Sequence, residues 1–296
     1  MKALVTGGAG FIGSHIVDKL IEMNYDVIVI DNESSNSNTQ FYWNDKASNY
    51  KYDICDYEKT RSLYENVDYV FHVAAKARIQ ATMLDPIETI KTNSFGTVNV
   101  LQCSKEANVK KVIYSSTSSA YGLNKVPNIE TQANDCLNVY SISKTNGENL
   151  CLNYTKGFNL KTICLRYFNV YGDRQPIKGK YASVMGIFSE QSKNNKPLTV
   201  VGDGKQKRDF THVSDVVNAN ILAATKNIDA KYFGQIFNIG TGKNYSVNEI
   251  AKMFSENITY IPERVGEAKE TLADISKAKN ILGWEPKITL TDWLQK

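Results

Sequence analysis

Apolar and polar positions alternate along this chain on two scales. Short, largely apolar runs at residues 2–6, 27–30, 67–73, 111–115 and 161–166 have the length and composition of buried strands. Between them, residues 12–23, 57–64, 89–107 and 140–156 read as helices. Tyr52-Asp53-Ile54 reads as one more strand end, and residues 32–50, rich in Asn and Ser without a period, as a loop. Strands alternating with helices predict an α/β fold on a doubly wound parallel sheet, covered on both faces.

After Tyr171-Gly172 the pattern changes. Residues 173–181 are polar, 182–192 are helical, and the strand at 198–201 stops at Gly202-Asp203-Gly204. Residues 210–224 and 235–242 read as a helix and a strand that return to the main sheet. Ser246, with Glu249 three residues on, forms a capping box that starts another helix. Helices are also expected near 275–282 and near Thr291. The expected organisation is a first domain over 1–172, to which parts of 208–242 return, and a smaller C-terminal substrate-binding domain over 173–296.

Composition narrows the setting. The 296 residues are 42% hydrophobic and 22% charged, the balance of a soluble globular chain with a large core. The net charge of +4 is scattered as single lysines, which offers nucleic acid no footprint. Five cysteines, without C-x-x-C spacing, suggest neither a disulfide framework nor a zinc site, so no metal is expected. No apolar run reaches about 18 residues and the first one is too short for a signal peptide, so a cytoplasmic protein without a membrane partner is expected.

Chemistry gathers at the ends of the expected strands. Gly7, Gly10 and Gly13, with Phe11 and Ile12 between them, lie in the turn from the first strand to the first helix. There the backbone can approach a pyrophosphate, and the helix N-terminus offers free N–H groups. Asp31 ends the second strand about 20 residues later, where a carboxylate accepts hydrogen bonds from an adenosine ribose. No arginine follows it closely, which favours NAD over NADP in a Rossmann-type site. Ala74 and Ala75 would let a cofactor lie against the backbone of the fourth strand. Tyr140 and Lys144 share one helix face, so an ammonium can favour the phenolate of a residue whose free pKa is ~10. The hydroxyl run from Ser115 to Ser119 ends the fifth strand, on the side where ligands gather in such sheets.

The specific motifs are Thr6-Gly-Gly-Ala-Gly-Phe-Ile-Gly13, Asp31-Asn32, Asp53-Ile54, His72-Val-Ala-Ala75 and Asn93-Ser-Phe-Gly-Thr97. To these are added Tyr140-x-x-x-Lys144, Leu165-Arg-Tyr-Phe-Asn169, Arg208-Asp-Phe-Thr-His212 and Arg264-Val-Gly-Glu267. On them the chain resembles the extended short-chain dehydrogenase/reductases, and within these the UDP-glucose 4-epimerase-like members of the NAD-dependent epimerase/dehydratases. The resemblance implies NAD, a UDP-sugar substrate, and a homodimer formed by helices beside 89–107 and 140–156. It makes Tyr140 the general base and Thr117 the hydroxyl that bridges to sugar O4. Lys144 would hold the nicotinamide ribose and lower the tyrosine pKa. Asn32, Asp53, Ile54, Lys76, Asn93, Ser115 and Phe168 become further cofactor contacts. Ser118, Asn169, Val184, Thr199, Val201, Arg208, Arg264, Glu267 and Thr271 become substrate contacts, with the arginines suited to a diphosphate.

Related dehydratases and decarboxylases place an acid just after the threonine; here Ser118 and Ser119 follow it. Reversible oxidation at C4 is then the simplest chemistry left. Thr271 is small where the family sets the size of the sugar pocket, which implies room for N-acetylated sugars as well as UDP-glucose and UDP-galactose. Asp173 and Val265 stand where relatives commonly have proline, which bears on loop geometry. The alternatives are a UDP-glucuronate 4-epimerase, a keto-sugar reductase exchanging its cofactor with solution, and a non-catalytic NAD-sensing protein. The last is disfavoured by the presence of both Tyr140 and Lys144.

Overall fold

The computed structural model describes residues 1–35, 38, 40–177 and 182–295. Its strands are β1 (Lys2–Thr6), β2 (Asp26–Ile30), β3 (Ser48–Tyr50), β4 (Tyr69–His72), β5 (Lys111–Thr117) and β6 (Thr162–Tyr167). They are followed by β7 (Val170–Tyr171), β8 (Leu198–Val201), β9 (Lys207–Asp209), β10 (Thr211–His212), β11 (Ile236–Ile239), β12 (Asn244–Ser246) and β13 (Ile258–Ile261). The helices are α1 (Phe11–Glu22), α2 (Tyr57–Thr60), α3 (Ile79–Leu84), α4 (Pro86–Ile90) and α5 (Gly96–Glu106). After them come α6 (Val139–Phe158), α7 (Val184–Lys193), α8 (Val213–Thr225), α9 (Val247–Phe254) and α10 (Leu290–Leu294).

Seven strands form one sheet in the order β11-β6-β5-β4-β1-β2-β3, and every pair in it is parallel. The chain winds outward from β1 to β3, then crosses to the other side of β1 to begin again at β4. Ligands collect outside the carboxyl ends of the strands at such a reversal. Both faces of the sheet are covered, which explains why its strands read as apolar without alternation. Ile16, Val17 and Leu20 of α1 pack with Val216, Ala219 and Ala223 of α8 and Trp284 on one face. Val100 and Leu101 of α5 and Cys151 and Tyr154 of α6 cover the other. Buried His72 stitches β1 to α5, with Nδ1 2.7 Å from Thr6 Oγ1 and Nε2 2.9 Å from Thr97 Oγ1.

The second half adds small ladders around a core that includes Tyr171, Phe188, Leu198, Phe210 and Ile250. β8 pairs parallel with β13, β9 antiparallel with β12, and β7 parallel with β10. The buried Asp209 carboxylate ties this region to the tail, accepting from Thr241 N–H at 2.8 Å, Gly242 N–H at 3.0 Å and Ala273 N–H at 3.1 Å. The Ser246 capping box is present, both halves formed.

Several boundaries differ from those the sequence predicts. Residues 52–54 are not a strand: the chain leaves the sheet after β3 in a turn closed by Tyr52 N–H on Tyr50 O at 3.0 Å. β3 itself falls inside the stretch that reads as loop. The helix expected over 89–107 begins earlier, as α4, and is interrupted by a π turn at Lys91–Phe95. Before it lies α3, which has no counterpart in the sequence reading. The strand 67–73 and the helix 210–224 are shorter than expected. Residues 178–181 of the polar stretch lie outside the described residues. Among the described residues, no helix is long and apolar enough to cross a membrane.

Candidate active site

One cleft of about 490 Å³ runs from the glycine turn to the tail of the second half, within the usual volume of small-molecule sites. Gly7, Gly10, Phe11, Ile12 and Gly13 line its first end. Gly7 has φ +68°, and a Cβ there would lie 2.7 Å from Ala74 N. A Cβ on Gly13 would lie 2.1 Å from Gly7 O, so only glycine lets α1 start this close to β1. Asp31 Oδ2 accepts from Ala9 N–H at 3.1 Å and Oδ1 from Glu33 N–H at 2.8 Å. Burial pushes this carboxyl up, against the pull of those N–H groups. Backbone room at a helix N-terminus beside a half-buried carboxylate fits the pyrophosphate and ribose of an adenine dinucleotide.

Asn32, Ile54, Ala74 and Ala75 also face the cleft. Asp53 stands behind Asn32, accepting from its Nδ2 at 2.9 Å. Lys76 reaches the Ser34 carbonyl at 3.4 Å. Asn93, Ser115 and Phe168 are buried beneath the cleft. Asn93 braces Lys76 against α6 through the Lys76 N–H at 2.7 Å and Ser143 Oγ at 2.9 Å. The Ser115 hydroxyl meets Tyr167 OH at 2.9 Å, and Phe168 packs near Tyr121, ring centroids 6.1 Å apart.

At the centre stands α6, capped by Asn138, whose side chain accepts from Ser141 N–H at 2.8 Å. Tyr140, Lys144 and Glu148 follow at helical spacing on its inner face. Gly147 brings that face close to the sheet, since a Cβ there would lie 2.1 Å from Tyr114 OH. Glu148 forms a bidentate pair with Arg166, Nε–Oε1 and Nη2–Oε2 both 2.7 Å, and accepts from Ser116 Oγ at 2.6 Å. The hydroxyl run and the helix are thus clamped to each other. A buried pair of this kind costs about 3–5 kcal/mol when one partner is removed.

Burial raises the Tyr140 pKa; the Thr117 hydroxyl and the charge of Arg78 pull it back. Lys144, one turn further along α6, is buried against β5. Its Nζ sits 4.3 Å from the Tyr114 ring centroid, and burial lowers its own pKa to about 8.

At the far end, Glu267 lies between two arginines, with Arg208 Nη2 at 3.6 Å and Arg264 Nη1 at 3.9 Å. Ser118, Asn169, Val184, Thr199, Val201 and Thr271 line the same cleft. Asn169 Nδ2 donates to Asp209 O at 2.8 Å and to Thr271 Oγ1 at 3.4 Å.

Arg78, Gln80 and Asn138 are among the cleft residues that escape the sequence reading. Gln80 Nε2 donates to Val265 O at 3.0 Å and Asn138 Nδ2 to Gly266 O at 2.9 Å, closing the wall between α3, α6 and the tail. Asn138 carried a signal, an N-cap residue just before the helix. Arg78 and Gln80 carried none, since their place depends on α3.

The model of the NAD dependent epimerase/dehydratase family matches residues 3–240. A putative UDP-glucose 4-epimerase of Methanocaldococcus jannaschii is 37% identical over 302 residues, covering 99% of this chain and 96% of the relative. The crystal structure of UDP-glucose 4-epimerase with UDP-glucose from Thermotoga maritima has a TM-score of 0.93 at 40% identity, covering 100% of this chain and 96% of that one. The UDP-glucuronic acid 4-epimerase of Bacillus cereus, in complex with UDP-glucuronic acid and NAD, has a TM-score of 0.91 at 31% identity, covering 100% and 97%.

Proposed function

Because the chain belongs to the NAD dependent epimerase/dehydratase family, we propose that it interconverts the C4 epimers of a UDP-hexose, with UDP-glucose and UDP-galactose the neutral pair. The observation that carries this reading is that Tyr140 and Thr117 line the same cleft, with Ser118 and Ser119 following Thr117 without a carboxylate. When bound at the glycine turn, NAD supplies the hydride acceptor and donor. Tyr140 takes the O4 proton as the alcohol becomes a ketone and returns it afterwards, and Thr117 fixes the position of O4. Arg208 and Arg264 hold the diphosphate, so the 4-keto ring turns about a fixed anchor and presents its other face. Elimination of water or loss of carbon dioxide needs a further proton-handling group, which the two serines do not supply.

Purified protein is incubated with UDP-galactose or UDP-GalNAc without added cofactor and followed by NMR. The C4 epimer is expected; NADH consumption with a keto-sugar and no epimer would remove the reading. Tyr140→Phe is expected to lower turnover at least ~100-fold while nucleotide binding persists.

The partner is a second copy of the chain. Leu84 is 71% exposed, Ile87 82%, Phe95 52% and Ile142 43%, large apolar side chains on the segments from α3 to α6 that a partner surface would cover. Sedimentation equilibrium should give a dimer; a monomer at micromolar concentration would contradict this.

A further inference from the structure

Arg78 is the cation in the cleft that C4 epimerisation of a neutral hexose leaves unused. Of the six arginines in the chain, five stand beside a carboxylate: Arg61–Glu58, Arg166–Glu148, Arg174–Asp18, Arg208–Glu267 and Arg264–Glu267. Arg78, half-buried in the cleft wall, has no ion pair or side-chain hydrogen bond among the described residues. Its backbone is strained as well. It heads α3 at φ +76° and ψ 109°, a conformation open to glycine and costly for a residue with a Cβ. Arg78 heads α3, which packs against α6, the helix that carries Tyr140, and both residues line the same cleft. The other charged groups lining the cleft are committed elsewhere. Asp31 is held by backbone N–H groups at the glycine turn, and Glu267 lies between its two arginines.

We propose that Arg78 is a specificity residue that takes a carboxylate on the sugar, making nucleoside-diphosphate hexuronates, oxidised to the acid at C6, the preferred substrates of this site. The inference rests on the epimerase reading, because it is Tyr140 on O4 that fixes which substituents Arg78 meets. C5, which bears C6, is the ring carbon next to C4, so the C6 group projects beside O4. A hydroxymethyl group there leaves the guanidinium desolvated without a partner. A carboxylate gives it two parallel charge-assisted hydrogen bonds. Sites built around a polar partner discriminate strongly against the analogue that lacks it. Ser118 and Ser119 supply no proton-handling acid beside the ring, so the carboxylate is kept and not expelled as carbon dioxide.

The test separates binding from turnover. UDP-glucuronate and UDP-glucose are titrated by calorimetry into the NAD-loaded Tyr140→Phe protein, alone and combined with Arg78→Gly, Arg78→Gln or Arg78→Lys. Glycine suits the backbone angle at 78, and thermal melts identify any variant that fails to fold. With Arg78 present, UDP-glucuronate should bind at least ~10-fold more tightly than UDP-glucose. The ratio should fall to near one in the glycine and glutamine variants and recover in part with lysine. Equal affinities in the parent, or a preference that survives removal of the guanidinium, would overturn the assignment. Wild-type assays with both sugars keep the two claims apart. Epimers formed without any affinity preference would strike the Arg78 role alone; a preserved preference with no epimer from either sugar would strike the reaction.

Discussion

The two ends of the cleft are made of different material. At the glycine turn, contacts come from backbone: Gly7 against Ala74 N, Gly13 against Gly7 O, and Asp31 held by the Ala9 and Glu33 N–H groups. At the sugar end they come from side chains on separate segments: Arg78 before α3, Thr117 on β5, Tyr140 on α6, Arg208 on β9, and Arg264 and Thr271 in the tail. A backbone site tolerates no side chain at Gly7 or Gly13, so the ligand it serves is fixed. A site of scattered side chains can change one contact at a time, so substrate preference drifts while the chemistry stays.

The strongest way to break this contrast is acid. Burial holds the His72 pKa at about 3, against ~6.5 in an unfolded chain. The folded histidine stays neutral while the unfolded one takes up a proton, so stability falls as pH drops from about 6.5 to about 3, by several kcal/mol in full. Urea titrations across that window should show the loss, and His72→Gln should flatten it at some cost in stability at neutral pH. An unchanged slope in the variant would place the acid sensitivity elsewhere.

Gly13→Ala attacks the backbone end directly. The protein purified from cells should carry at least ~10-fold less NAD, read by chromatography after denaturation. Full retention would mean the turn yields, and the two ends would no longer differ in kind. The smallest effect belongs to the side-chain end, where Thr271→Tyr fills space beside Asn169 and should lower kcat/KM for UDP-GalNAc ~10-fold more than for UDP-galactose. Equal losses for the two sugars would remove Thr271 from the pocket-size argument.

The same contrast decides what the sequence discloses. The glycine turn with Asp31 is legible because strand, turn, helix and acid follow one another within one βαβ unit. The long apolar strands are legible because burial on both faces leaves them no polar positions. β7, β9, β10 and β12 are two or three residues long and hold no periodicity to find. The Tyr140–Lys144 spacing discloses a shared helix face, but not that the ammonium rests on the Tyr114 ring. Arg78 is silent because α6, against which its segment packs, is far along the chain and nothing local predicts α3.

The place of β11 governs how this chain is made. It pairs with β6 from residues 236–239, so the buried strand β6 is left as an open edge until most of the polypeptide has left the ribosome. An open parallel edge templates association with other nascent chains, and the long loop closure makes its pairing slow. The period of greatest aggregation risk therefore falls between the emergence of β6 and that of β11. Slower translation just beyond β11, or a chaperone acting over that interval, would protect yield more than any gain in the stability of the finished fold.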